Sequence, residues 1–188
     1  MINRCGWCGD DPLYVNYHDQ EWGVPLYEDA ALIECLTLEG AQAGLSWITV
    51  LRKREGYRSA FDHFDYQKIA KYSDKKLERL IGDEKIIRNR LKIMSVRQNA
   101  VAFIQVQKEW GSFSNFIWHY VDNKPILRLE SEVPSSTKLS ERISKDLKRM
   151  GFKFVGSTII YAFMQAAGLV NDHSLDCFRY EECQQIHS

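Results

Sequence analysis

The spacing of apolar residues along the chain predicts a mostly helical protein. Apolar side chains recur at intervals of three and four residues, and alternating, strand-like patterns are scarce. In residues 28–39, for example, Leu32, Cys35, Leu36 and Glu39 fall on one helical face. The same reasoning predicts helices over residues 66–81, 84–106, 113–121 and 140–150, and an apolar helix that ends near Ala167. We therefore expect an all-α fold.

The chain of 188 residues is long enough to bury a hydrophobic core, as one domain or two small ones. It contains no run of roughly 18 apolar residues, and its N-terminus lacks the charged-then-apolar pattern of a signal peptide. We therefore expect a cytoplasmic protein without a membrane segment, with a monomer as the simplest state. Because cytoplasmic cysteines stay mostly reduced, the five cysteines do not predict a disulfide framework.

The net charge is zero, but the charges are unevenly distributed. Residues 5–51 contain eight acidic residues and no lysine or arginine, whereas residues 52–188 carry 24 basic and 17 acidic residues. This asymmetry favours a basic face that binds an anionic partner such as nucleic acid, and a separate acidic region. The alternative is that the helices simply carry solvated charges.

The first ten residues contain a Cys-x-x-Cys motif, Cys5 and Cys8, which is typical of redox and metal sites. A redox dithiol of the thioredoxin kind requires a preceding strand and a helix N-terminus that lowers the thiol pKa, but only four residues precede Cys5. Asp10 and Asp11 follow Cys8, and their negative charges disfavour a thiolate. Redox chemistry is therefore disfavoured at this motif.

Further residues of metal-ligand type lie at the other end of the chain. Asn171 or Asp172 can cap a helix on which His173 and Cys177, four residues apart, project from one face. Two ligands there and two near the N-terminus would complete a closed, tetrahedral zinc site of the structural kind. The spacing leaves several candidates open, and all of them could also be ordinary thiols and imidazoles: Cys5, Cys8 and His18 at one end, and His173 with Cys177 or Cys183 with His187 at the other.

Glu39 stands out in the acidic, aromatic-rich N-terminal quarter. It lies on the apolar stripe of its helix, and no lysine or arginine in the same quarter can pair with it. Buried carboxyl groups without a partner are costly and cluster at functional sites. Together with the nearby aromatic residues, Glu39 predicts a pocket for a flat cation or an amino-bearing heterocycle. The alternatives are that Glu39 caps a turn at Gly40 or pairs with a distant arginine.

Several stretches of the chain closely resemble the DNA-3-methyladenine glycosylase I family of bacterial base-excision repair enzymes. They run from one end of the chain to the other, and YHDQEWG and GLSWITVL within them are specific: RCGW (4–7), DPLYVNYHDQEWGVP (11–25), LEGAQAGLSWITVLRKRE (38–55), IIRNRLKI (86–93), GFKFVGST (151–158) and FMQAAGLVNDH (163–173).

The resemblance implies an all-α member of the helix-hairpin-helix glycosylase group, with a structural zinc ion (Zn2+) that joins the termini. The family's ligands fall on Cys5, His18, His173 and Cys177, so Cys8 would be a bystander. Residues 1–188 would form one unit, in which the terminal segments make a zinc-stapled subdomain. The family's hairpin falls near Gly82–Arg90, within a helical part of about residues 60–160.

The resemblance also implies a monofunctional DNA glycosylase. Such an enzyme flips 3-methyladenine out of alkylated duplex DNA and hydrolyses its N-glycosidic bond, which leaves an abasic site. The family's catalytic residues fall on Tyr17 and Glu39, and the aromatic walls of its base pocket fall on Trp7, Tyr14, Trp22 and Trp47. The family lacks the aspartate that related enzymes use. The rate is therefore expected to come from binding the departing base, with water as nucleophile and no lyase lysine.

Two kinds of DNA contact are predicted. Leu45, which follows Gly44 and has Gln42 nearby, is a candidate wedge that fills the gap left by a flipped base; a core position is the alternative. Backbone amides near Gly82 can meet phosphate groups. Candidate phosphate-binding side chains, each with a solvated surface charge as the alternative, are Lys85, Arg88, Arg90 and Lys153.

Two other functions fit parts of the sequence. A non-catalytic protein that binds damaged DNA could keep the whole pocket without turnover. A thiol oxidoreductase could use Cys5 and Cys8. One tightly held zinc ion that requires Cys5 would exclude a free dithiol there.

Overall fold

The computed structural model describes residues 2–127 and 132–186, and most of these residues are helical. The α-helices are α1 (Pro12–Gln20), α2 (Asp29–Gln42), α3 (Trp47–Arg52), α4 (Arg54–Ala60), α5 (Tyr66–Ile69), α6 (Asp74–Ile81), α7 (Arg90–Trp110), α8 (Phe113–His119), α9 (Lys138–Arg149), α10 (Ser157–Ala166) and α11 (Phe178–Gln185). Short 3-10 helices cover Gly6–Cys8 and Asp62–Phe64. Two strands of two residues each, β1 (Ile126–Leu127) and β2 (Val170–Asn171), pair in parallel. None of the described helices is both long and apolar enough to cross a bilayer.

The main hydrophobic core surrounds α2, which packs against α7, α8 and α10. Leu32 of α2 and the rings of Phe103, Phe116 and Phe163 are almost fully buried in this core. A second, smaller apolar cluster lies near both termini and consists of Cys5, Tyr17, Trp22, Leu51, Ala166 and Cys177. The candidate site described below is built along this second cluster.

Backbone and side-chain bonds join the two ends of the chain. The Phe178 N–H donates to the Asn3 carbonyl at 3.1 Å, and the Asn3 side-chain amide donates to Asp176 at 2.6 Å. These bonds bring the first residues against the start of α11. Residues near both termini can therefore contribute to one site.

Two of the predicted helices are interrupted by side-chain caps. The predicted helix over 66–81 is divided into α5 and α6, because the Ser73 hydroxyl accepts the Lys76 N–H and starts a new helix. The predicted helix over 84–106 begins only at Arg90, where the Asn89 side chain accepts the Lys92 N–H. Short polar side chains at these positions compete with continued helix, since they bond the backbone locally.

The prediction that His173 and Cys177 lie on one helix is wrong. Residues 172–177 are not helical, and Cys177 is the N-cap of α11. Asn171 does not cap a helix: its side-chain oxygen accepts the His173 N–H at 3.3 Å, and its amide donates to the Tyr180 carbonyl at 2.9 Å. These bonds hold the segment as a turn. His173 and Cys177 nevertheless face each other across it.

Candidate active site and metal centre

A pocket of about 370 Å³ opens beside the second apolar cluster. Its aromatic walls are the five residues that the sequence singled out: Trp7, Tyr14, Tyr17, Trp22 and Trp47. The ring centres of Trp7 lie 5.0 Å from Tyr14 and 4.9 Å from Trp22, and those of Tyr17 and Trp47 lie 5.4 Å apart. The fold therefore gathers these rings around one space large enough for a planar heterocycle.

Glu39 supplies the carboxyl group of this pocket. Its side chain is 4% exposed, and no arginine, lysine or hydrogen-bond donor of the described residues pairs with it. Gly40 lies inside α2 rather than in a turn, so both alternatives for Glu39 are wrong. Because burial disfavours the charged form, the pKa of Glu39 is raised to about 8. A cationic ligand in the pocket would supply a charged partner for the Glu39 carboxylate.

The phenol of Tyr17 is buried in the same wall. Burial, and then the nearby carboxyl group of Glu39, raise the pKa of Tyr17 well above its ordinary value. Tyr17 is therefore a neutral phenol that offers a ring face and one hydroxyl group. The Trp47 indole N–H is buried without a hydrogen-bond partner among the described residues.

One polar wall of the pocket was missed by the sequence reasoning. Gln165 and Asp172 both line the pocket. The Tyr161 hydroxyl and the Gln165 amide both donate to Asp172 Oδ2, at 2.6 Å and 2.9 Å. Only the packing of α10 against the segment after β2 creates this group, and no spacing in the sequence indicates it.

Four buried side chains form a cluster that could hold a metal ion: Cys5, His18, His173 and Cys177. Their ligand atoms all lie within 4.8 Å of one another. His173 Nδ1 is 3.5 Å from Cys5 Sγ and 3.7 Å from Cys177 Sγ, and His18 Nε2 is 3.5 Å from Cys177 Sγ. The prediction that these four residues come together is confirmed.

The outward nitrogen of each histidine has a fixed partner. His18 Nδ1 lies 2.8 Å from Asp19 Oδ1, and the guanidinium group of Arg4 holds the same carboxylate. His173 Nε2 lies 3.0 Å from the carbonyl oxygen of Trp22. These contacts fix each ring so that its other nitrogen faces the cluster, as is usual around metal ligands. Since Trp22 also lines the pocket, the cluster supports one pocket wall directly.

The neighbouring cysteines lie outside the cluster. Cys8 is buried, but its thiol donates to the Cys5 carbonyl oxygen at 3.2 Å and does not meet the Cys5 sulfur. Cys183 is also buried outside the four-residue group. His187, the other half of the competing pair, lies outside the described residues. At Cys5, burial opposes ionisation, but hydrogen bonds with His173 and His18 outweigh it and lower the pKa to about 5.

Comparison with known proteins identifies the family. The family model for methyladenine glycosylase matches residues 7–180. This chain belongs to the methyladenine glycosylase family. DNA-3-methyladenine glycosylase 1 of Escherichia coli (strain K12) is 50% identical over 182 residues, which cover 95% of this chain and 97% of that protein. DNA-3-methyladenine glycosylase of Haemophilus influenzae is 47% identical over 181 residues, 94% of this chain and 97% of that protein.

Solved structures agree with this assignment. A crystal structure of 3-methyladenine DNA glycosylase I has a TM-score of 0.91 and 49% identity, and covers 94% of this chain and 98% of that chain. The Staphylococcus aureus enzyme, solved to explain 3-methyladenine recognition, has a TM-score of 0.90, 39% identity and coverage of 94% and 96%. The family assignment made from the sequence motifs is therefore confirmed, together with a mostly helical fold.

In this chain, Leu45 lies in the exposed turn between α2 and α3, with 40% of its surface accessible. A core position for Leu45 is therefore wrong. Gly44 has a φ of +81°, which favours glycine, and the Gln42 amide donates to the Leu45 carbonyl at 3.4 Å. Lys92, which the sequence reasoning missed, donates hydrogen bonds from its ammonium group to the carbonyl oxygens of Ala41 and Ala43, at 2.8 Å and 2.7 Å.

The candidate phosphate-binding side chains are all exposed, but they differ in their ion pairs. Arg90 is paired with Glu78, and Arg88 lies 3.7 Å from Glu84. Lys85 and Lys153 have no ion pair with the described residues, so their charges are more available. Gly82 ends α6 as its C-cap.

The segments that carry these side chains are fixed to the rest of the fold. The loop of residues 82–89 packs so closely on α4 that a Cβ at Gly56 would lie 2.1 Å from the Lys85 carbonyl oxygen. The loop before α10 is tied to α7, since Asn99 exchanges two bonds with the Lys153 backbone, at 2.8 Å and 3.0 Å. Helix α7 therefore contacts both the turn at Leu45, through Lys92, and the loop before α10, through Asn99.

Proposed function

We propose that this chain is a DNA glycosylase that flips 3-methyladenine out of alkylated duplex DNA and hydrolyses its N-glycosidic bond. Two of its relatives are named as DNA-3-methyladenine glycosylases. The observation that carries the proposal is Glu39, a buried carboxyl group without a partner among the described residues, in a pocket of five aromatic rings. A membership in the methyladenine glycosylase family gives this pocket its substrate class.

The pocket chemistry matches a methylated adenine nucleotide. Methylation at the 3-position puts positive charge on the base, and aromatic faces attract a flat cation. The Glu39 carboxylate can accept a charge-assisted hydrogen bond from the exocyclic amine. Unmodified adenine carries no such charge and therefore gains less binding free energy from this pocket. Tyr17 supplies a second wall and a hydroxyl group beside the base.

Hydrolysis by water is the reaction that these residues support. The described lining of the pocket contains no lysine that could form a Schiff base with the sugar, which favours a monofunctional hydrolase over a lyase. Methylation already weakens the bond between base and sugar. Glu39 would therefore act mainly by binding the departing base as the bond breaks, and water would attack the sugar.

We assign the gap-filling role in DNA to the turn at Leu45. Flipping a base costs a few kcal/mol of lost stacking and pairing, and an apolar wedge offsets part of this cost. Leu45 is exposed at the end of α2, the helix that carries Glu39 into the pocket. The bonds from Lys92 hold the turn rigid at its base.

Leu45→Ala should lower the rate of base release from duplex DNA by roughly tenfold, while the affinity for free 3-methyladenine stays unchanged, because the wedge acts only when a gap must be filled. Release from methylated duplex DNA and binding of the free base would be measured in parallel. Val101→Ala, which shortens an exposed side chain in the middle of α7, is the control. Equal losses in both assays would contradict the wedge role.

Two helical hairpins present backbone amides near this turn. The loop of residues 82–89 joins α6 and α7, and the family's hairpin was predicted there. The loop of residues 150–156 joins α9 and α10, a closely packed pair of helices. Gly156 begins α10 without a side-chain cap, so the first N–H groups of that helix are available to a phosphate group. We place DNA backbone contacts on both loops.

Lys153→Gln should weaken binding to duplex DNA several-fold and reduce the slope of log K against log salt concentration by about 1, because one phosphate contact is lost. Fluorescence anisotropy over a salt series would measure this. Lys108→Gln is the control, since Lys108 is exposed on α7 about 27 Å from Arg90 along the helix axis. Identical salt slopes for both variants would contradict the contact.

The Cys5, His18, His173 and Cys177 cluster fits a structural zinc ion. Zinc bonds of about 2.3 Å to sulfur and about 2.0 Å to nitrogen place tetrahedral sulfur and nitrogen ligands about 3.5 Å apart. The observed sulfur–nitrogen distances of 3.5 Å to 3.7 Å agree with this spacing. Two cysteines and two histidines form a closed set, so the ion would hold the termini together and leave no position for substrate. The cytoplasmic location and the monomeric state stay predictions.

Chromatography of the bases released from DNA treated with a methylating agent tests the proposed function. We expect free 3-methyladenine and abasic sites from the wild-type protein, and no strand cleavage by the protein itself. Normal DNA binding without any released base would instead favour a protein that only recognises damage. A redox activity is disfavoured because the Cys8 thiol is bonded to a backbone carbonyl and Cys5 belongs to the metal cluster.

A further inference from the structure

Two hydrogen-bond acceptors line the pocket from helices that pack against each other. Glu39 lies on α2 and Gln165 lies on α10, and both side chains line the cavity. Glu39 is the residue already assigned to the base. Gln165 has no role in the function proposed above.

The amide of Gln165 is held in one orientation. Its nitrogen donates to Asp172 Oδ2 at 2.9 Å, and Asp172 is itself 3% exposed and bonded by the Tyr161 hydroxyl at 2.6 Å. If the amide turned over, its carbonyl oxygen would meet the carboxylate oxygen, and two acceptors would face each other. Asp172 therefore holds the amide nitrogen of Gln165 on its own side and leaves the carbonyl oxygen facing away from the carboxylate.

The carbonyl oxygen of Gln165 is the end that remains available. It accepts no hydrogen bond from the described residues. It is also not among the buried, solvent-inaccessible polar atoms that lack a partner. Since Gln165 lines the pocket, this oxygen is an acceptor open to a ligand there.

We propose that Gln165 determines base specificity: its carbonyl oxygen accepts one hydrogen of the exocyclic amine of 3-methyladenine and disfavours purines with a keto oxygen at the same position, such as 3-methylguanine. This inference rests on the proposed function. The amine has two hydrogens, which suit two acceptors, Glu39 and Gln165. A keto oxygen would face the Gln165 oxygen with no hydrogen between them.

Glu39 alone discriminates poorly between these bases. A carboxyl group accepts when ionised and donates when protonated, and the raised pKa of Glu39 makes both forms accessible near neutral pH. A protonated Glu39 could donate to a keto oxygen. Gln165 cannot switch in this way, because an amide oxygen only accepts, and the bond from Nε2 to Asp172 keeps that oxygen on the free side of the amide. Sites that pair a ligand's polar group firmly reject analogues that leave the partner unpaired.

The test compares Gln165→Met with the wild-type protein. Methionine keeps the length of the side chain and removes the acceptor. We expect the affinity for free 3-methyladenine, followed by quenching of the pocket tryptophans, to fall roughly tenfold, as for one lost hydrogen bond. The affinity for 3-methylguanine should stay unchanged or rise. The ratio of the affinity for 3-methyladenine to that for 3-methylguanine should therefore fall by about tenfold or more. Gln105→Met, on the exposed face of α7, should leave both affinities unchanged.

A parallel loss for both bases, or an unchanged ratio, would overturn the proposal. Thermal melting and zinc content of Gln165→Met should match the wild type. If that variant does not fold, Asp172→Asn provides the second test, since it keeps the amide but loosens its orientation, and it should narrow the ratio to a smaller extent. Failure of the proposed function itself is separate, because the wild-type protein would then release no 3-methyladenine from methylated DNA.

Discussion

Replacing Glu39 with glutamine is expected to raise the free energy of unfolding by about 3 kcal/mol at pH 8 and to lower it by about 1 kcal/mol near pH 4.5, where only the desolvation cost of the amide remains. Burial raises the pKa of Glu39 to about 8 in the folded protein, against an ordinary value of 4.5. Between these two pH values the unfolded chain releases a proton that the folded chain retains. The folded state therefore loses about 1.4 kcal/mol for each pH unit in this window.

The sign of this linkage is the opposite of that for a paired carboxylate. The unfolded state binds fewer protons than the folded state, so stability falls as pH rises from 4.5 to 8. Glutamine does not ionise, so the variant lacks this contribution. Its buried amide still has a desolvation cost, which is why we expect less than the ceiling of roughly 4 to 5 kcal/mol.

Urea unfolding at pH 5, 6.5 and 8 would measure the difference between Glu39→Gln and wild type. Glu34→Gln is a matched control on the same helix, because Glu34 is paired with Arg58 and its removal should not stabilise the protein. A difference for Glu39→Gln that does not change with pH would contradict the assignment of an unpaired, buried carboxyl group.

The same substitution should reduce base release by roughly 10-fold to 100-fold, because a charge-assisted hydrogen bond to the base is lost. In the wild type, kcat/KM should rise with pH and level off above about 8, since the ionised form of Glu39 accepts the amine. In the variant this rise should disappear. A more stable but less active variant would show that the pocket retains its carboxyl group at the expense of stability.

Glu39 could be predicted from the sequence because its signal is local. An acidic residue on an apolar helical stripe, in a quarter without lysine or arginine, predicts a buried and unpaired carboxyl group. The structure confirms both properties for the described residues. The aromatic walls were likewise predicted by residue type and by the family motifs, although only the fold brings Trp7 and Trp47 to one cavity.

The errors arose where side chains redirect the backbone. Asn171 captures the His173 N–H, and Ser73 and Asn89 each start a new helix, so continuous helical patterns were interrupted. The residues missed altogether depend on tertiary contact. Lys92 supports a turn about 50 residues before it, and the partner of Gln165 lies beyond the end of its own helix. Periodicity carries no information on such contacts.

Loss of the proposed zinc ion is expected to have the second large effect, and Cys177→Ala tests it. If the free zinc concentration is about 1,000 times the Kd of the site, binding stabilises the folded chain by about 4 kcal/mol. For a chain of this length, that corresponds to a fall in Tm of roughly 10 °C. We expect Cys177→Ala to contain far less than one zinc ion per chain and to melt correspondingly earlier.

Cys8→Ala is the matched control, since Cys8 is buried near the same terminus but bonds a backbone carbonyl instead of joining the cluster. Cys8→Ala should keep the zinc ion, and its Tm should stay close to that of the wild type. A chelator should lower the Tm of the wild type and of Cys8→Ala, and added zinc should restore it. Cys177→Ala should show no further change with chelator.

The pocket should respond to the metal as well, because Trp22 connects the two sites. Its backbone carbonyl accepts His173 Nε2, and its ring lines the pocket and contacts the His173 ring, with centres 4.7 Å apart. Once His173 is released, this wall loses its support. Metal removal should therefore weaken 3-methyladenine binding before the chain unfolds. An unchanged affinity in the folded, metal-free protein would show that the ion stabilises the termini alone.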